Sequence, residues 1–373
     1  MHTAVWIRSQ DDLVNHVAKW LEQDFVALDT EFERTSTYYA NPGLIQLADS
    51  EQVYLIDPLE VPDLTPLAPL LESDSTVKVL HSMSEDVELL HKATGVAPKT
   101  VFDTQIAANF LGLGQSLGYQ KLVEELLGHV LDKAETRSDW LQRPLSDSQI
   151  EYAIKDTAYL RDLYFELLTR LKQAGWLEAC RQECDFLIAQ SVEAWEAPER
   201  AYLRLRGAWH LSLDQQKRLQ GLVMWRDQLA VTRNVPKSWV FADAILIAVL
   251  ERDFEHPKDL YRIKGVRGKS VRQYGDELIE RLGYSPEEVE ADFERVQGPL
   301  RGKEMELYKK LKKCVAEIAR ELGLEPQLLA GRKPLEQLVA LCLRTGSREF
   351  PAFFEGWRAQ YLKAPLCEVL SER

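Results

Sequence analysis

Over the first 110 residues, short apolar runs alternate with amphipathic stretches. Phe25-Val26-Ala27-Leu28 ends in Asp29. Leu44-Ile45-Gln46-Leu47-Ala48 and Val53-Tyr54-Leu55-Ile56 flank the polar Asp49-Ser50-Glu51-Gln52, and Val77-Lys78-Val79-Leu80 and Val101-Phe102 follow. Runs of this length between polar residues predict five strands, with 49–52 as a hairpin loop. Between them, Asp11–Gln23 and Ser84–Lys92 carry helical spacing. Strands joined first by a hairpin and then by helical crossovers predict a mixed five-stranded sheet covered by helices, an α/β layer.

Beyond Leu117 the strand pattern fades. Ser146 to Leu171 is a long amphipathic stretch, with Ser146 as N-cap and Gln149 completing a capping box. Leu213 to Leu282 reads as several short helices, punctuated by Asn234-Val235-Pro236, His256-Pro257 and Gly265-Val266-Arg267-Gly268. Gly298-Pro299 breaks the chain again before a helical block from Arg301 to Tyr361. The expected organisation is a mixed domain over 1–172, a helical connector over 173–206, and two all-α modules over 207–288 and 299–373.

Charge changes the picture only when it is resolved along the chain. The net value is −13, yet residues 1–172 hold 14 Lys and Arg against 28 Asp and Glu, whereas residues 204–283 hold 15 against 10. An acidic half suits divalent cations and a basic module suits phosphates, although a solvated surface accounts for both. No apolar run approaches the roughly 20 residues of a membrane span, and Met1–Gln10 lacks the order of a secretion signal. Five scattered cysteines, an odd number, argue against a disulfide framework. A bacterial cytoplasm is the expected location.

Candidate chemistry comes from carboxylates. In Asp29-Thr30-Glu31 the strand period of two turns both acids to one side, where hard cations would relieve their repulsion. Acids at strand ends are also common in loops. Asp86 follows Ser84, an expected N-cap, which puts it in a first helical turn that favours acids anyway. Tyr152 and Asp156 lie four apart on one helix face, where a packed aromatic and a surface carboxylate would also be ordinary.

Together, Asp-x-Glu, a helix-start Asp and Tyr-x-x-x-Asp, in this order, resemble the DEDD exonucleases in their tyrosine-bearing branch. The His-bearing branch is not indicated, because Glu151 stands five residues before the last Asp. Thr37-Tyr38-Tyr39 ahead of Gln46, Asp103-Thr104, Ser116-Leu117-Gly118-Tyr119 and Arg137-Ser138-Asp139-Trp140 narrow the likeness to ribonuclease D. The resemblance implies a ribonuclease H-like fold and two Mg2+ or Mn2+ ions. Asp29, Glu31 and Asp156 would hold the ion that generates the nucleophile, and Asp29 with Asp86 the second. Tyr152 would orient the attacking water, because a phenol with an ordinary pKa near 10 is a poor base at neutral pH. Phe32, Tyr38, Gln46 and His81 are candidate substrate contacts, for each of which a packing role serves as well.

Residues 207–288, through Trp225-Arg226-Asp227, Asn234-Val235-Pro236 and Leu260-Tyr261-Arg262-Ile263-Lys264, resemble an HRDC domain. Arg262, Lys264, Arg267, Lys269 and Arg272 form a basic cluster suited to phosphate contact. The block over 299–373 is expected to be a second, diverged copy. The implied activity is 3′→5′ trimming of RNA with a free 3′ end, tRNA precursors included, by a monomer that releases 5′-mononucleotides. The alternatives are a DNA 3′→5′ exonuclease of repair type and a silent RNA-binding scaffold. Deleting 204–373 is expected to spare the chemistry.

Overall fold

The computed structural model describes residues 4–131, 135, 138–283 and 293–371. The chain divides into two compact units. The first comprises residues 1–33, 42–189 and 300–373, and the second residues 34–41 and 190–299.

The first unit opens with β1 (Ala4–Ile7), α1 (Gln10–Trp20), β2 (Phe25–Glu33), β3 (Asn41–Ala48), β4 (Val53–Ile56) and α2 (Ala68–Glu72). It continues with β5 (Val77–Leu80), α3 (Ser84–Thr94), β6 (Val101–Asp103), α4 (Thr104–Phe110), α5 (Tyr119–Leu127), α6 (Asp147–Ala174) and α7 (Leu177–Glu196). The sheet order is β1-β4-β3-β2-β5-β6. β3 and β4 form an antiparallel hairpin closed by 49–52, whereas β1–β4, β2–β5 and β5–β6 pair in parallel. The mixed sheet and helices are those expected, with six strands rather than five. The extra strand, Ala4–Ile7, is four residues long and half-exposed at the sheet edge, so its apolar pattern is too short to stand out.

Helix α6 is set by the expected capping box: Gln149 N–H donates to Ser146 Oγ at 3.2 Å, and Ser146 N–H donates to Gln149 Oε1 at 3.0 Å. Its apolar face, including Ala153, Leu160, Leu163 and Leu167, joins Phe25 and Ala27 of β2 in one core. Helix α3 departs from expectation. Met83, not Ser84, occupies the N-cap position and offers no side-chain cap. Just ahead of the helix, the Ser82 and Met83 N–H groups donate to the Asp103 carboxylate at 3.1 and 2.8 Å.

The C-terminal block supplies α12 (Lys303–Leu322), α13 (Pro326–Ala330), α14 (Arg332–Ala340) and α15 (Ala359–Ser371), after the second unit's four helices. It is not a separate appendage. Leu311, Leu335, Leu338 and Leu362 lie in the same core as Leu163 and Leu171 of α6. The Arg358 guanidinium lies 2.7 Å from Glu183 of α7, and Trp357 Nε1–H donates to the same carboxylate at 3.0 Å. This shared core argues against the expectation that deleting 204–373 spares the chemistry, since the deletion would strip apolar side chains from the core that holds α6.

The second unit holds α8 (Leu213–Arg233), α9 (Lys237–Val240), α10 (Asp243–Ala248) and α11 (Gly268–Leu282) around Leu219, Val223, Val240, Phe241, Leu260 and Leu278. Its first helix spans 21 residues rather than a short piece, started by a Ser212–Gln215 capping box and ended by Asn234 in the left-handed region. Residues 284–288, assigned above to the first all-α module, lie outside the described residues. No helix among the described residues is long and apolar enough to cross a membrane.

Candidate active site

Strand β2 runs through to Glu33, so Asp29 and Glu31 sit within it and not at its end. Alternation gives them the face of Phe25 and Ala27, which packs on α6. Asp156 of α6 meets them there, and one carboxylate oxygen from each of Asp29, Glu31 and Asp156 lies within 4.8 Å of the others. Asp86, in the first turn of α3, is buried, and Thr30 Oγ1 donates to its Oδ1 at 2.5 Å. Its carboxylate lies beside that group rather than in it, close enough that Asp29's charge acts on it.

The electrostatics follow from crowding. Burial, then the charges of Asp29, Asp156 and Asp86, push Glu31 up to about 10. Burial, with Asp156 behind it, holds Asp29 well above the carboxylate range, and burial raises Asp156 to about 7. Asp86 is raised by burial and then by Asp29, against the Thr30 hydrogen bond. Asp29 and Glu31 keep part of their surface open. Asp29, Glu31 and Asp156 bring together hard oxygen donors, each disfavoured as an anion, in a set that fits a divalent cation, with Asp86 beside it.

Tyr152 lies one turn before Asp156, half-buried, its ring centroid 6.1 Å from that of Trp140. Burial, followed by the charge of Asp156, raises its phenol far beyond the ordinary value, so it stays protonated. Tyr119, a flanking residue in the sequence pattern, also reaches this region. Its hydroxyl lies 3.0 Å from the Lys155 carbonyl and 2.5 Å from the Asp156 carbonyl, fixing the turn of α6 that presents Asp156. A Tyr near an acidic site carries no spacing signal, so pattern reading had no means of finding it.

The remaining candidates are spread out. Phe32 is half-buried next to Glu31, and alternation turns it to the other face of β2. Gln46 is fully buried on β3, between Leu44 and Ala48, and both amide atoms lack a hydrogen-bond partner among the described residues. His81 Nδ1 is 2.9 Å from Thr104 Oγ1, and burial lowers its pKa. Tyr38 belongs to the second unit, where its N–H donates to Asn234 Oδ1 at 3.1 Å and the Lys237 ammonium lies 5.6 Å from its ring centroid. Arg262, Lys264, Arg267, Lys269 and Arg272 are all exposed. Arg267 lies over Trp239 at 5.1 Å, and Arg262 pairs with Asp259 at 3.1 Å. Arg137, quoted for the resemblance, lies outside the described residues.

A 3′-5′ exonuclease family model matches residues 4–172, an HRDC domain model residues 215–282, and a model of the ribonuclease D C-terminal HRDC domain residues 305–366. The last match identifies the block that sequence reading placed by position alone. Ribonuclease D of Pseudomonas paraeruginosa is 37% identical over 368 residues, covering 98% of this chain and 97% of that protein. Ribonuclease D of Escherichia coli K12 is 34% identical over 357 residues, covering 93% of each. The crystal structure of Escherichia coli RNase D, described as an exoribonuclease involved in structured RNA processing, aligns over 100% of this chain and 99% of that one. It does so with a TM-score of 0.89 and 31% identity. By sequence over its whole length and by fold, the chain belongs to the ribonuclease D family of 3′-5′ exoribonucleases.

Proposed function

We propose that the chain removes nucleotides from RNA 3′ ends as 5′-mononucleotides, with tRNA precursors and other structured RNAs among its substrates. Asp29, Glu31, Asp86 and Asp156 would hold two divalent ions, Mg2+ or Mn2+. Bound there, such ions supply positive charge against the attacking and leaving oxygens of an in-line displacement. The chain's own part is preorganisation, with two acids on a strand and one on a helix whose turn Tyr119 ties down. Tyr152, kept protonated, orients the attacking water through its hydroxyl and leaves proton removal to other groups.

The observation that most supports this reading is the convergence of the Asp29, Glu31 and Asp156 oxygens within 4.8 Å. The test is Asp156→Asn assayed with Mn2+ on a single-stranded RNA. Loss of turnover of at least about a hundredfold with the fold intact is expected, and full turnover would sink the assignment. Whole-chain kinship with ribonuclease D favours RNA over the DNA alternative, and digestion of matched RNA and DNA single strands measures that preference directly. The exposed Arg262, Lys264, Arg267 and Lys269 would hold the RNA backbone. Five free thiols agree with a reducing cytoplasm.

A further inference from the structure

We propose that Arg143, acting through Asp57 and Trp140, is a positioning residue for Tyr152. The inference rests on the role given to Tyr152 above.

All five N–H donors of Arg143 find acceptors. Nε and Nη2 donate to the two oxygens of Asp57 at 2.7 and 2.6 Å. Nη2 also donates to the Gly43 carbonyl at 2.7 Å, and Nη1 to the Trp140 and Gln142 carbonyls at 3.0 and 2.7 Å. Asp57, at the end of β4, is almost fully buried. Its carboxyl is held below the usual range: burial, the largest influence, acts upward, but the Arg143 and Leu59 hydrogen bonds outweigh it. One planar side chain thus fastens the 140–143 segment to two neighbouring strands.

What the clamp fixes is Trp140. A Cβ added at Gly43 would stand 2.7 Å from both the Cβ and the carbonyl oxygen of Trp140, so this segment rests directly on the backbone of β3. From the other side, Gln149 Nε2 of α6 donates to the Asp139 carbonyl at 3.1 Å. The indole, 2% exposed, is therefore held between strand and helix, and its ring leans on Tyr152. A half-buried phenol that must aim one hydroxyl needs a fixed wall, and Trp140 is that wall. No polar atom of the clamp needs to touch RNA.

The test is a double-mutant cycle on a short single-stranded RNA with Mn2+. Arg143→Lys keeps the charge but replaces a fixed five-donor fork with a single rotating ammonium. It is expected to lower kcat about 10- to 100-fold, the scale on which misorientation acts. KM, and Mn2+ affinity by calorimetry, should hold within about twofold. In a Tyr152→Phe background the same change should cost nothing further. Equal losses in both backgrounds, or an unchanged kcat for Arg143→Lys, would overturn the proposal. Full activity of Tyr152→Phe alone would instead overturn the reading of Tyr152 beneath it. If Arg143→Lys does not fold, Trp140→Phe serves in its place, because it leaves every clamp atom and trims only the wall. Additivity with Tyr152→Phe then rejects the proposal and non-additivity supports it.

Discussion

Thr30 donates its hydroxyl hydrogen to Asp86 at 2.5 Å, joining two acid-bearing elements 56 residues apart in sequence. The bond favours the ionised form of a carboxyl that burial and Asp29 push the other way. Thr30→Val keeps the shape and removes the donor. A hydrogen bond to a charged group contributes about 1.5–3 kcal/mol, so Mn2+ affinity by calorimetry should fall roughly tenfold or more at neutral pH. The loss should shrink at higher pH, where Asp86 ionises unaided. A pH-independent loss would mean that Thr30 acts by packing alone.

The crowded acids make the metal-free protein sensitive to alkali. Glu31 at about 10 and Asp156 at about 7 both lie above ordinary carboxylate values. A group raised in the folded state contributes fully at low pH, below about 4, and its contribution is lost as pH rises towards its folded value. With a chelator present, thermal stability should therefore decline from pH 5 through about 7 and on towards about 10. Glu31→Gln should flatten the upper part of that slope and raise the melting temperature at pH 8. Mg2+ or Mn2+ should reverse the decline in the wild-type protein, with affinity rising over the same window. A flat profile without metal would contradict the electrostatic picture.

The Glu183–Arg358 pair is buried on both sides, and Trp357 shares its carboxylate. Removing one partner of such a pair strands a charge, at a cost of about 3–5 kcal/mol. Arg358→Ala should lower the unfolding midpoint of the whole catalytic unit in a denaturant titration. A separate early transition, with catalytic activity unaffected, would show the C-terminal block to be independent.

Arg267 and Lys269 are exposed on the first HRDC module. If they meet phosphates, each Ala substitution should weaken RNA binding and lower the salt slope by about one. The double variant should bind all single strands more weakly without altering hydrolysis of a very short substrate. An unchanged slope would make this a solvated face.

The sequence was most informative where period and spacing carry the signal. Val53–Ile56, the Ser146 cap and the alternation of Asp29 and Glu31 stand in the structure as read from the chain. It was silent where one element is completed by another. Ser84 has the composition of an N-cap, yet the helix begins at Ser84 itself, and the Met83 N–H at the cap position is taken by Asp103, 20 residues on. Tyr119 reaches α6 across 37 residues to the Asp156 carbonyl, and no local rule links them. Tyr38 carries no mark in its own segment that Asn234 would accept its N–H. Long-range satisfaction of buried polar groups is a property of the folded whole, and pattern rules see only neighbours.

Because residues 300–373 share the core of residues 42–189, with 190–299 forming another unit between them, the order of synthesis matters. A ribosome adds roughly 5–20 residues per second, so the nascent nuclease half waits on the order of ten to forty seconds before α15 emerges to complete its packing. During that interval the chain bears Asp29, Glu31, Asp86 and Asp156 on an unfinished scaffold. A chain cut short before residue 359 would lack α15, and with it the Leu362 and Leu366 side chains of that core.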